Sequence, residues 1–94
     1  MKLHVRAIFL QGKKMQEACF DLPYENGEHR FPKEAPFDRA FYLGPDYGYS
    51  LDVIKIDVEK RSLNLGYDET VVLDEGGHAH WRGRGVELDF DLNE

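Results

Sequence analysis

Both ends of the chain alternate apolar and polar residues with a period of two. Near the C-terminus Val86, Leu88, Phe90 and Leu92 interleave with Glu87, Asp89, Asp91 and Asn93, and near the N-terminus Leu3, Val5, Ala7 and Phe9 alternate in the same way. Successive side chains of a strand point to opposite faces, so such a run buries one face and wets the other. Residues 49–58 and 62–67 form a third and a fourth run of this kind. Between Leu51-Val53 and Ile54-Ile56-Val58 the apolar parity switches, which predicts a bulge or a strand passing between two packed faces. Only 13–22 offers a helical alternative, with Met15, Ala18, Cys19 and Leu22 spaced for one helix face. Its competing alternation of Ala18, Phe20 and Leu22 fits a hairpin with the first strand, and the strand reading is preferred.

Turn chemistry converts these runs into registers. A turn over Gly12-Lys13 pairs Ala7 with Ala18, Val5 with Phe20 and Leu3 with Leu22. A turn centred on Lys60-Arg61 pairs Val58 with Leu63, Ile56 with Leu65 and Ile54 with Tyr67, and a slip of one residue would destroy the match. Gly83-Arg84 suits a two-residue turn that sets Trp81 opposite Val86 and Ala79 opposite Leu88. Asn26-Gly27 is the strongest short hairpin signal and would bring Leu22 opposite Phe31.

All four prolines fall between residues 23 and 45, together with several aromatic residues. That segment is expected to be irregular, with a short strand at Ala40–Leu43 and its aromatics lying over the core. A chain of 94 residues is one domain, here residues 1–94. The expected fold is all-β: a small antiparallel β-sandwich or partly open barrel of seven or eight short strands joined by tight hairpins.

Charge narrows the function classes. Eighteen acidic against twelve basic side chains leave a formal net charge of −6. Duplex nucleic-acid binders rely on Lys and Arg to neutralise phosphates, so that class is disfavoured, while a basic protein partner is compatible. The excess is polarised along the chain. Residues 1–14 hold Lys2, Arg6, Lys13 and Lys14 and no acid, whereas residues 68–94 hold eight acids against Arg82 and Arg84. Opposite charge at the two ends favours terminal strands lying side by side. The single Cys19 cannot form an internal disulfide and is expected to be a small buried hydrophobe in a reducing compartment. No apolar run reaches the ~20 residues of a membrane span and no signal peptide is recognisable, so the expected setting is cytoplasmic, away from membranes.

The most distinctive string is Asp74-Glu75-Gly76-Gly77-His78-Ala79-His80-Trp81-Arg82. A three-residue loop Glu75–Gly77, with Gly77 left-handed, pairs Leu73 with Ala79 and Val71 with Trp81 on an inner face. On the outer face it sets His78 opposite Asp74 and His80 opposite Val72. The hairpin over Gly83-Arg84 independently sets His78 opposite Asp89 and His80 opposite Glu87. Asp74, His78, His80, Glu87, Asp89 and Asp91 therefore form the candidate binding patch. The plainest account is a solvated face of cross-strand ion pairs, each worth a few tenths of a kcal/mol.

Other accounts are a surface for a protein partner, a His group tuned by acids, and a divalent-metal site on His78, His80 and Asp89. His78-x-His80 followed by Glu87 resembles the metal-binding motif of cupins over about ten residues. Glu87 stands farther from His80 than that motif places its glutamate, and no second motif with a third histidine follows. Arg82-Gly83-Arg84-Gly85 reads as a turn rather than an RNA-binding element, and Trp81 is expected to face inward, away from any sugar platform.

These features predict a small acidic, non-catalytic binding module without a cofactor. It would engage another protein through its acidic C-terminal sheet, for example a basic-surfaced nuclease or other nucleic-acid-handling protein. The alternative is a metal-binding domain or metal-dependent enzyme with a His-x-His and carboxylate site.

Overall fold

The computed structural model describes residues 1–11, 14–32, 53–66, 69–83 and 86–93. Among these residues there is no helix, and eight strands form two four-stranded antiparallel sheets packed as a sandwich. The strands are β1 (Lys2–Gln11), β2 (Lys14–Pro23), β3 (Gly27–Arg30), β4 (Val53–Asp57), β5 (Ser62–Gly66), β6 (Glu69–Val72), β7 (His78–Gly83) and β8 (Val86–Asn93). One sheet has the order β2-β1-β8-β7, the other β3-β4-β5-β6. Each hydrogen-bonded neighbour is also a neighbour in sequence except β8 and β1, whose pairing joins the two ends of the chain. The expected proximity of the basic and acidic termini is thus realised.

The alternating residues supply the core. Leu3, Val5, Ala7, Leu22, Leu88 and Phe90 from the first sheet meet Ile54, Ile56, Leu63 and Leu65 from the second, with Phe31 and Leu73 closing the ends. Full burial of a side chain such as Phe90 or Ile54 contributes about 1.5–3 kcal/mol. Phe20 tilts against Phe31 with ring centroids 4.7 Å apart. Trp81 lies on the inner face as expected but is only partly buried, and its Nε1 donates to Glu69 Oε2 at 3.2 Å. That bond links β7 of one sheet to β6 of the other.

The described part of the 13–22 segment, from Lys14 on, is strand, and the β1–β2 register matches the expected one pair for pair: Ala7 with Ala18, Val5 with Phe20, Leu3 with Leu22. Other pairings differ, each for a local reason. Ile56 pairs with Leu63 rather than Leu65, an offset of two. The turn takes the four residues Val58–Arg61, because the Val58 amide donates out of the ladder to Asn26 Oδ1 at 2.8 Å. Lys60 N donates to Asp57 Oδ1 and Arg61 adopts φ 55°. The β7–β8 register is also offset by two, with Trp81 opposite Leu88 and Ala79 opposite Phe90. Its anchor is the far end of the strand, where Leu92 N donates to Gly77 O at 2.8 Å.

Neither Asn26-Gly27 nor the Glu75–Gly77 loop makes a hairpin within one sheet. Asn26 spends its side chain on Val58, and Gly27, at φ 118°, opens β3 opposite Ile56 of β4, so the chain changes sheets there. Leu22 therefore does not face Phe31 across a hairpin. The Glu75–Gly77 loop closes as expected, with Gly77 at φ 81° and Asp74 N donating to His78 O at 2.8 Å. Beyond it the chain again changes sheets, so Leu73 and Val71 do not pair with Ala79 and Trp81. Cys19 is exposed, because its odd-numbered position on β2 faces away from Ala18, Phe20 and Leu22. The 23–45 segment contains strand β3, while Ala40–Leu43 and Leu51 lie outside the described residues. Across Val53 and Ile54, where the parity was expected to switch, β4 pairs with β3 without a shift of register, so no bulge lies there.

Candidate functional site

The candidate site is the outer face of the β2-β1-β8-β7 sheet. Inward positions on these strands are apolar, so every second residue is turned to water and the registers line those residues into rows. One row reads Asp21, His4, Asp91, His78; the next reads Cys19, Arg6, Asp89, His80; the third reads Glu17, Ile8, Glu87, Arg82. Acidic strands β2 and β8 thereby alternate with cationic strands β1 and β7. Lys2 continues the β1 line beyond His4, opposite Asn93.

Short polar contacts hold the rows. His4 Nδ1 donates to Asp21 Oδ1 at 2.8 Å, and His78 Nδ1 donates to Asp91 Oδ1. His80 Nδ1 donates to Asp89 Oδ1 at 2.5 Å while its Nε2 lies 3.3 Å from Glu87 Oε1. A protonated His80 ring donates to both carboxylates, a neutral ring to one. Arg6 Nε donates to Glu17 Oε1 at 2.7 Å, a diagonal contact across β1 and β2. That pairing holds the Glu17 carboxyl below the usual carboxylate range and raises the Arg6 guanidinium.

Asp74 stands at the rim, and its work is largely structural. Its Oδ1 accepts from the backbone N–H of both Gly76 and His78 at 2.9 Å, which closes the loop leading into β7. The His78 N–H, and less strongly the Gly76 N–H and the charges of His78 and Arg61, hold the Asp74 carboxyl below the usual range. Arg61 from the β4–β5 turn donates to the Asp74 carbonyl at 2.8 Å, tying the second sheet to this corner. An open depression of about 560 Å³ lies on the face, lined by His4, Arg6, His78, His80, Asp89 and Asp91 together with Asp74 and Val72.

The six residues expected to form the patch do come together, with one change of partners. His78 faces Asp91 and His80 faces Asp89, because of the two-residue offset in the β7–β8 register. The proposed trio His78, His80 and Asp89 therefore does not converge, and among the described residues no three His, Cys, Asp or Glu side chains are grouped to hold a metal ion. The two histidines of the cupin-like stretch point out of the sandwich, not into a barrel. The register expected over Gly12-Lys13, with Leu3 opposite Leu22 and Val5 opposite Phe20, implies His4 opposite Asp21, but the sequence alone did not join these two, Arg6 or Glu17 to this site. The signal was the opposite charge of the two termini.

The ion-paired side chains range from 37% exposed at His4 to 64% at His78, so water reaches every one of them. Such a face carries a field that salt screens. Among the described residues no helix is long and apolar enough to cross a membrane. Comparison of the chain with protein-family models, curated proteins and solved structures gives no match.

Proposed function

We propose that this chain is a non-catalytic binding module that engages a basic surface of another protein through the outer face of the β2-β1-β8-β7 sheet. The observation that carries this reading is the location of the acidic surplus. With histidines neutral, Glu17, Asp21, Glu87, Asp89 and Asp91 of the rows, together with Asp74 at the rim, stand against Lys2, Arg6 and Arg82, a net of −3 on one face. The outward charges of the other sheet cancel, Glu28 and Asp57 standing against Arg30 and Lys55. An asymmetric field of this kind steers a partner of opposite sign and fixes which face it meets. Lys- and Arg-rich surfaces that bind phosphates have the matching chemistry.

The test compares two variants that remove the same charge from opposite faces. One is Glu87→Gln/Asp89→Asn/Asp91→Asn; the control is Glu25→Gln/Glu28→Gln/Glu59→Gln, at exposed positions away from the proposed face. Affinity for a short oligolysine peptide is measured by fluorescence anisotropy at low salt and pH 8. The first variant is expected to bind about tenfold more weakly than wild type, the control nearly as well. Equal losses in both variants would show that net charge alone governs binding and would overturn the assignment of the face.

A further inference from the structure

We infer that the proposed face is a pH-gated surface: protonation of His4, His78 and His80 cancels its negative charge and releases a basic partner. The inference rests on the reading of this face as the surface that meets that partner. Three of the chain's four histidines sit on it, one on β1 and two on β7. Each has its Nδ1 against a different aspartate, which fixes the ring where its charge enters the rows. Imidazole is the side chain whose charge ordinarily changes between pH 5 and 8. Three added protons take the face from a net of −3 to zero, and no other group in it matches that change.

The surroundings of each ring come from every neighbouring element. His4 faces Asp21 of β2 and Asp91 of β8, with Lys2 and Arg6 on its own strand. His78 faces Asp91, and the Asp74 carboxylate holds its backbone N–H. His80 faces Asp89 and Glu87, with Arg82 next on its strand. The remaining groups are Glu17, paired with Arg6, and Cys19, whose thiol donates to Glu17 at 3.8 Å. Glu17 and Asp74 keep their charge across the range, since Arg6 and the His78 N–H hold them ionised to lower pH.

Two features make this more than the generic response of an acidic protein. His80 has a carboxylate beside each ring nitrogen, so its second proton completes a second contact and withdraws Glu87 as well as Asp89 from a partner. The fourth histidine, His29, lies on β3 in the other sheet with its Nε2 on the Glu25 carbonyl, so it serves as an internal control. Three of the four added charges therefore fall on the proposed face, and the other sheet receives only that of His29.

The experiment measures oligolysine affinity at pH 8 and pH 5.5 and at fixed ionic strength. The proteins are wild type, His4→Asn/His78→Asn/His80→Asn, and His29→Asn. Asn keeps an N–H near the place of Nδ1 but never becomes charged. Wild type and His29→Asn are expected to bind about tenfold more weakly at pH 5.5, and the triple variant about equally at both. Circular dichroism at both pH values confirms that each protein is folded, and His80→Asn alone serves with a partial loss of the pH effect should the triple variant unfold. Equal wild-type affinity at the two pH values overturns the switch and leaves the binding surface standing. A pH effect that persists in the folded triple variant, or that is undiminished in His80→Asn, overturns it too. No wild-type binding at pH 8 overturns the binding surface itself, and the switch with it.

Discussion

Gly77 fixes the position of β7 by having no side chain. It sits at φ 81°, its carbonyl accepts the Leu92 amide, and a Cβ there would stand 3.0 Å from the Leu92 Cβ. Gly77→Ala is expected to cost about 1–3 kcal/mol in chemical denaturation, from left-handed strain and the displaced contact together. A variant as stable as wild type would contradict the role given to this close approach. Asp74, three residues earlier, acts through its charge. Its carboxyl is depressed, so its stabilising effect is present above the ordinary carboxylate range and is lost as pH falls through the native value. The melting temperature of Asp74→Ala should therefore lie below that of wild type at pH 7 by a few degrees. The gap should narrow as pH falls below the ordinary carboxylate range and close once the native state, too, binds the proton. A gap independent of pH would mean that packing, not charge, is what Asp74 contributes.

At the scale of strands, the seam between β6 and β7 is where the two sheets are clasped. Trp81 packs on the core from β7 and reaches Glu69 of β6. Trp81→Ala is expected to cost about 2–4 kcal/mol, and Trp81→Phe about 1 kcal/mol, since the ring stays but the N–H is lost. Equal losses for the two would place the whole effect in the hydrogen bond. Strand identity and face were largely legible in the described strands, because parity is a local property: Leu3, Val5, Ile54, Leu88 and Phe90 are all inside, while the expectation of a buried Cys19 ran against the parity of its own strand. Register was less so. Offsets of two at β4–β5 and β7–β8 keep every residue on its face, so the apolar pattern cannot distinguish them. Contacts distant in sequence do, Asn26 to Val58 in one case and Gly77 to Leu92 in the other. Sheet changes were hidden for a related reason, since Asn26-Gly27 supplies the backbone freedom of a hairpin and spends it on a crossing.

For the whole molecule, the decisive event is the pairing of β1 with β8. It inserts a cationic strand between two acidic ones and assembles four separate stretches of sequence into one patterned face. The acidic half of that face, Glu87, Asp89 and Asp91 with His78 and His80, was legible because β7 and β8 are adjacent in the chain. The other half was not, since only the closed sheet brings His4, Arg6, Glu17 and Asp21 beside it. Among the described residues the opposite sheet has balanced outward charge, so of the two sheets this one carries the net negative face. Amide-resolved NMR of the labelled chain, titrated with oligolysine at pH 8 and low salt, locates the contact directly. The account expects the shifted amides to cluster on β1, β7 and β8, with the signals of Arg6, His80 and Asp89 among them. Shifts clustered on β3 to β6, or spread evenly over both sheets, would contradict it.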